Sequence, residues 1–589
     1  MKPFNSLQVG RVAGSLAVAL ALTLSATTAR AYVYATDIQI NGSLTNTSVD
    51  QNFPASITYR LNQAADRGVT VNILQGSTVV KSIAGGTNQG LNSVSWTPTN
   101  TGTYSVSITA AATGFPIWTQ ISKTNAGNYM HEATGMAVDN NTNSPYYGRV
   151  VVGCAASGGL NPISGATNMD GIYKLNADGS YADEGGFSYG GYSTDDSGDV
   201  STPGQMPVSQ YNQVPYALRI GDDDRIYMLD DSVYGAIIAF DMKVTTNQIV
   251  IDDGYLGQLG GSHNFTNNPD LGELVNGISS FDVTSTTTAN AAIWLCDSVF
   301  DYPNWGIWMY HLRNGASDPA DTMGTQAVIA RPGSDLNEGS GGGCTVDTNL
   351  DIFVSQSQYG NDASPRTMEY TNWNHGVLPP EADGSTNALG TNTGQVHWKV
   401  GTNDPTFESV QDTVVNNRQH PTMVALPMLT GNNGYSGIRV LNATNGSVIS
   451  VTNGVTIQAL TNLGYPAQYV SAAWDNVGNL YGAGFPSDYW RVWSPPGTNQ
   501  ATTLAVAQVN VSILFAITGI TASPTTPGCS DVVISFTAPG NPLLSTLKLM
   551  GSTTVNGAYA PVAASITGGS GSYQAAFTNC STMFYLIED

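Results

Sequence analysis

The sequence predicts an all-β protein: a six-bladed, alternatively seven-bladed, β-propeller flanked by two small β-sandwich domains. Three observations lead there. First, the 589 residues include 65 Gly and only 11% charged side chains, and strong helix formers are scarce beside Thr, Ser and Asn. Second, a strand–turn–strand unit returns about six times between roughly residues 131 and 515, which is the mark of a repeat architecture. Third, short alternating strands fill the stretches on either side of that array. The expected division is 1–31, 32–113, 114–515 and 516–589.

Residues 1–31 read as a secretory signal peptide. Lys2 and Arg11 give a basic start, Val12 to Leu24 is apolar, and Ala29-Arg30-Ala31 is a small-x-small cleavage site. The apolar run is shorter than the ~20 residues a membrane helix needs, and no later stretch reaches that length. The expectation is therefore a secreted chain (periplasm, cell surface or medium) with no membrane span after the leader is removed.

In region 32–113, Ile57–Leu61 and Val69–Leu74 alternate apolar and polar residues as half-buried strands do, and Gly102–Ala110 supplies a closing strand. Some seven strands in about eighty residues predict an immunoglobulin-like sandwich. The wording of 57–96 (ITYRLNQAADRGVTVNILQGSTVVKSIAGGTNQGLNSVSW) and 102–109 (GTYSVSIT) resembles the immunoglobulin-like module of flagellar hook-cap proteins. That resemblance implies a spacer or presentation module, not flagellar work.

The array 114–515 carries the repeats. Copies begin at Gly135-Met136-Ala137-Val138-Asp139, Leu218–Gly221, Ser280–Val283, Cys344–Phe353 and Ala473–Tyr481, with a degenerate fifth in chain order near Thr422–Leu426. The fuller copies place an Asp/Asn/Gly turn between two apolar strands. Further strands are Gly171–Asn176, Ala236–Asp241, Gly306–His311, Gly437–Asn442 and Tyr489–Trp493. Pro116–Ile121 is expected to lend an outer strand to the last blade, since closing a ring removes exposed strand edges. The segments GIYKLNADGS (171–180) and AAWDNVGNLYGAG (472–484) resemble the six-bladed NHL and gluconolactonase-like propellers. What the resemblance implies is a fold more than an activity.

Region 516–589 is a second β-module, with strands at Val532–Phe536, Leu547–Met550 and Met583–Ile587. Its text at 547–562 and 584–589 resembles fibronectin-type modules of exported bacterial proteins. Cys529 and Cys580 lie near its two ends, and in an exported protein they are expected to pair. Cys154, Cys296 and Cys344 sit in or beside apolar strands and are expected to be buried thiols.

The formal charge is −23, and loss of the three cations of the leader takes it to about −26. Such a surface repels phosphate backbones, so no nucleic-acid partner is expected. The acidity is compatible with solubility, with divalent cations, or with neutral glycans.

In propellers, ligands sit at the axial mouth, lined by residues just before each innermost strand. That placement selects His131, Glu132, Tyr211, Asn212, Asn276, Glu338, Arg418, His420, Gln468 and Tyr469, a convergent polar set of the kind that marks a binding site. The alternative is that they are solvated loop residues. No cofactor is expected. A divalent cation such as calcium is an option, held by a subset of His131, Glu132, Glu338 and His420, because imidazole and carboxylate suit such ions. Asp347–Asp351 fails as an EF-hand loop, with Ile352 and Gln358 where Gly and an acid are required, and reads as turn chemistry. Thr194–Asp199 is the better local calcium candidate. There is no G-x-S-x-G, H-E-x-x-H or Walker motif, and Trp in these strands reads mostly as core.

The leading expectation is a non-enzymatic protein that binds an extracellular glycan or protein. The alternatives are a metal-dependent enzyme of lactonase or lyase type acting on an extracellular substrate, and a structural cell-surface or matrix component.

Overall fold

A computed structural model describes residues 33–588 except 46, 155–159, 166–170, 183–190, 194–214, 231–235, 253–277, 286–289, 298–305, 314–328, 331–341, 357–364, 372–394, 408, 430–434, 450, 452–462, 465–466, 486–488, 498–499, 513–515, 538–543, 546, 554–558, 570–571 and 582–583. The protein is all-β, and no α-helix occurs among the described residues.

Among the described residues, six small antiparallel sheets follow one another along the middle of the chain. The first strand of each is Ala133–Val138, Pro215–Ile220, Ile278–Ser285, Cys344–Val346, Val414–Val415 and Tyr469–Trp474. Each sheet then adds its strands in sequence order, the fourth strand of the sixth sheet excepted. In the second sheet, for example, Arg225–Asp230, Ala236–Asp241 and Asn247–Asp252 are hydrogen-bonded in turn. The first strands pack against those of the next sheet, and the sixth packs against the first. Apolar clusters fill the spaces between neighbours. Ala137, Val151 and Ile172 meet Leu218, Ile226 and Phe240, for instance, and Phe353 and Trp398 meet Val424 and Leu426.

Ala133–Val138 and Tyr469–Trp474 are buried on both faces along their whole length. That explains why they read as unbroken apolar runs and not as alternating ones. Glycine admits the closest approaches. A Cβ on Gly135 would stand 2.9 Å from Leu218 Cγ, and one on Gly343 would stand 2.5 Å from the Thr413 amide nitrogen. The sixth sheet receives its fourth strand from far upstream, Thr119–Gln120 pairing with Trp493 and Ser494, as the sequence led us to expect.

The N-terminal unit has a three-stranded sheet (Ala35–Ile40, Ala55–Leu61, Gly90–Trp96) facing a five-stranded one across a shared core that includes Ile57, Tyr59, Val71 and Ile108. One of the five strands corrects the expected division. Gln500–Ser512, assigned from sequence to the repeat array, pairs along its length with Gly102–Ala112 and in parallel with Thr47–Asp50. A strand's partner at a separation of some four hundred residues leaves no trace in local periodicity.

The unit is also docked onto the sheets. Tyr34 is fully buried, its hydroxyl lies 3.2 Å from that of Tyr481, and its ring meets Tyr147 edge-on at 5.6 Å. Arg60 bridges Asp37 at 3.0 Å and Asp178 at 3.3 Å.

The C-terminal unit pairs a four-stranded sheet with a three-stranded one (Ala560–Val562, Lys548–Ser552, Phe584–Glu588) around Ile534, Phe536, Leu549 and Tyr573. Cys529 and Cys580 are disulfide-bonded, with Cα atoms 4.1 Å apart. The bond closes a separation of 51 residues. Cys529→Ser should therefore cost this unit about 3–4 kcal/mol in the chain-entropy model, seen as early melting and proteolysis of the C-terminal fragment. An unchanged unfolding profile would refute that. Cys154, Cys296 and Cys344 are buried thiols.

Candidate functional site

The turns that join first and second strands are held by short polar side chains. Asp475 Oδ1 accepts from the amides of Val477 (3.1 Å) and Asn479 (2.7 Å). Asp347 Oδ1 does the same for Asn349 (2.8 Å) and Asp351 (2.9 Å), and Asp139 Oδ1 accepts from Asn141 (2.9 Å). The repeated Asp is thus a turn staple, as the reading of Asp347–Asp351 anticipated. These carboxyls are costly to bury. Burial pushes Asp139 up to about 7 and Asp475 up to about 6, with the turn hydrogen bonds opposing.

At the centre of the first strands lies a charge network that the sequence did not single out. Arg219, buried, donates from Nη2 to Asp412 Oδ1 (2.7 Å) and to Ser280 Oγ (3.1 Å), and its Nε lies 3.8 Å from Asp282 Oδ1. Ser280 Oγ donates to Asp412 Oδ1 at 2.6 Å. Asp282 Oδ2 accepts from Thr345 Oγ1 (3.0 Å) and the Val346 amide (2.7 Å), while Arg418 pairs with its Oδ1. Ser471 Oγ donates to Asp412 Oδ2 at 3.4 Å and accepts from the Met136 amide at 3.2 Å. Residues leading or forming the first strands of all six sheets therefore share one hydrogen-bonded network. Burial alone would lower the Arg219 pKa, but the carboxylates of Asp412 and Asp282 more than offset it and hold the guanidinium charged. Aspartates in apolar strand text have no spacing signal, so only their convergence marks them.

Of the expected site residues that are described, Arg418 is the one in this network. It sits beyond the C-terminal end of its first strand, donating from Nη1 to the Val346 carbonyl at 3.1 Å, while its own carbonyl accepts from the Thr348 amide at 2.8 Å. Asp222 lies within its field: partial burial raises the Asp222 pKa and the Arg418 guanidinium opposes the rise. At the same strand ends, Asn141 Nδ2 donates to Asp224 Oδ1 (2.8 Å) and Asn140 Nδ2 to the Trp474 carbonyl (2.9 Å). His420 is exposed on the Arg418 turn, its amide bonded to Asn417 Oδ1 at 3.1 Å.

His131, Glu132, Gln468 and Tyr469 do not join this face. His131 and Glu132 precede Ala133–Val138 and so lie at the opposite end of the strands. Glu132 holds a left-handed backbone, with φ of 47°. Gln468 is half-buried at that end, and its carbonyl accepts from the Phe485 amide at 3.0 Å. Tyr469 is a core residue, fully buried, with Trp493 edge-on at 5.6 Å and Arg491 donating to its hydroxyl at 3.3 Å. Burial pushes its pKa up to about 12.

The misplacement of Arg418 and His420 has a specific origin. Met423–Met428 is the second strand of its sheet, and the first is the two-residue Val414–Val415, too short to show a period. His420 and His131 consequently stand at opposite strand ends and cannot share one ion. Tyr211, Asn212, Asn276, Glu338 and the Thr194–Asp199 run lie outside the described residues. Among the described residues no group of three or more His, Cys, Asp or Glu is placed to hold a metal. Trp398, Trp490 and Trp493 are buried, as expected of core, while Trp305 and Trp373 are not described.

No protein-family model matches this sequence, and no curated protein matches it significantly. Among solved structures, it is similar to a structural-genomics protein of unknown function from Bacteroides thetaiotaomicron VPI-5482. The two are 9% identical over 79% of this chain and 98% of that one, with a TM-score of 0.33.

Proposed function

We propose that this chain is a secreted, non-enzymatic protein whose six sheets are the blades of a β-propeller, and that it binds an extracellular glycan through the face carrying Arg418. The flanking two-sheet units act as spacers. The reading rests on one observation: the charges at the centre of the first strands neutralise one another. Arg219 lies between Asp412 and Asp282, and Asp282 also takes Arg418. Groups so paired and buried rigidify a scaffold and are not positioned to exchange protons with a ligand. Around them the strand-end turns present amides, carboxylates and an imidazole: Asn141, Asp222, Asp224, Thr348, Asn349 and His420. Closely spaced donors and acceptors of that kind suit the hydroxyls of a neutral sugar. The chain's formal charge of −23 disfavours an acidic polymer.

Affinity electrophoresis of the full chain through gels carrying neutral or acidic polysaccharides tests the idea. Retardation is expected in at least one neutral gel. His420→Ala and Asn141→Ala should weaken it by about 1–3 kcal/mol each, the cost of losing one polar partner at a contact. No reducing ends should be released. Equal mobility in every gel, or glycan cleavage that disappears in His420→Ala, would overturn the proposal.

A further inference from the structure

Two of the three buried thiols are neighbours across a sheet boundary. Cys296 lies in the second strand of the third sheet, Asn290–Asp297, paired with Ser280 of the first strand. Cys344 opens the first strand of the fourth sheet and is fully buried. They belong to one apolar cluster with Trp294, Ile307 and Met368. Cys344 Sγ reaches the carbonyl of Trp294, two residues before Cys296 on the same strand, at 3.7 Å. Cys154 is elsewhere, in the cluster between the sixth and first sheets with Met136 and Trp490. Two cysteines packed into one cluster across a sheet boundary can be bridged where their Cα atoms approach within about 7 Å.

We infer that Cys296 and Cys344 form a second disulfide, one that staples the third sheet to the fourth. The reaction is exchange with a low-molecular-weight disulfide. One cysteine thiolate attacks it, forming a mixed disulfide and expelling one small thiolate. The second cysteine thiolate then displaces the other. Both cysteines lose their protons, and the two electrons leave on two small thiols. The neighbouring Cys296 thiol and burial raise the Cys344 pKa, so in the closed protein almost no thiolate exists to attack. The link therefore forms before the sheets close on each other, or when they part. The bond spans about fifty residues of chain, a loop long enough for the constraint on the unfolded state to matter.

The test refolds the full chain from denaturant with and without oxidised glutathione, then counts thiols by alkylation after unfolding. With glutathione, one alkylated cysteine per chain is expected, Cys154. Non-reduced peptide mapping should show a 296–344 pair beside the 529–580 pair. The oxidised form should melt about 4–8 °C above a form in which only 529–580 is intact. Cys154→Ser should keep that gain, and Cys296→Ser should lose it. Three alkylatable cysteines after oxidative refolding, or a link made by Cys154, would overturn the inference. The thiol count needs only the wild-type chain, so a variant that fails to fold leaves the test intact.

Discussion

Replacing Arg219 by methionine should destabilise the protein by about 3–5 kcal/mol, the usual cost of stranding a buried charge. The variant keeps the volume of the side chain but leaves Asp412 without its cation at 2.7 Å, deep among the first strands. Asp282 keeps Arg418, so Asp412 carries most of the loss. Asp412→Asn alone should also cost several kcal/mol, because Arg219 then faces only Asp282 at 3.8 Å. The double variant Arg219→Met with Asp412→Asn removes one charge of each sign and should recover part of the loss, giving a coupling energy of about 2 kcal/mol or more. Urea unfolding of the four proteins measures the cycle. Simple additivity would show that the network contributes no more than separate surface charges do.

Stability should fall as pH rises from about 4 to about 7, and Asp139 should be a principal cause. In the folded chain, burial holds Asp139 near 7 and Asp475 near 6, whereas both titrate near 3.8 when unfolded. Below pH 4 both states carry the protons and neither group costs anything. Between those limits the unfolded chain releases protons that the folded chain keeps, so folding loses free energy with each step in pH. Above pH 7 the penalty is constant. For Asp139, a shift of about three units corresponds to at most on the order of 4 kcal/mol. Asp139→Asn keeps an acceptor for the Asn141 amide and has nothing to ionise. Its melting temperature should vary less across this window than that of the wild type, and it should exceed the wild-type value at pH 7.5. Parallel curves for the two proteins would refute this, and would leave the general repulsion of an acidic chain as the cause of any slope.

Both effects come from residues the sequence displays without ranking. Asp139, Asp347 and Asp475 were legible as turn formers, because an Asx turn is a local contract between a side chain and amides two to four residues on. The strand–turn–strand copies were legible for the same reason, while their number stayed open between six and seven. Where the local signal shrank, the reading slipped. A first strand of only Val414 and Val415 shows no period, whereas its neighbour Met423–Met428 does, and a pattern read from Met423–Met428 puts Arg418 and His420 at the wrong strand end.

By itself the sequence determined an all-β chain, a run of successive strand–turn–strand units, a small β-unit at each flank, and the Cys529–Cys580 pairing. All of these follow from hydrophobic period, turn chemistry and cysteine placement within short windows. Only the tertiary structure decided that Gln500–Ser512 completes the N-terminal unit, that Tyr34 docks that unit against Tyr481, and that Arg219, Asp282 and Asp412 meet. Those are contacts between residues scores to hundreds of positions apart. They form because burying a strand edge or a charge requires a partner, and the partner is fixed by which strands pack together, not by which residues adjoin in the chain.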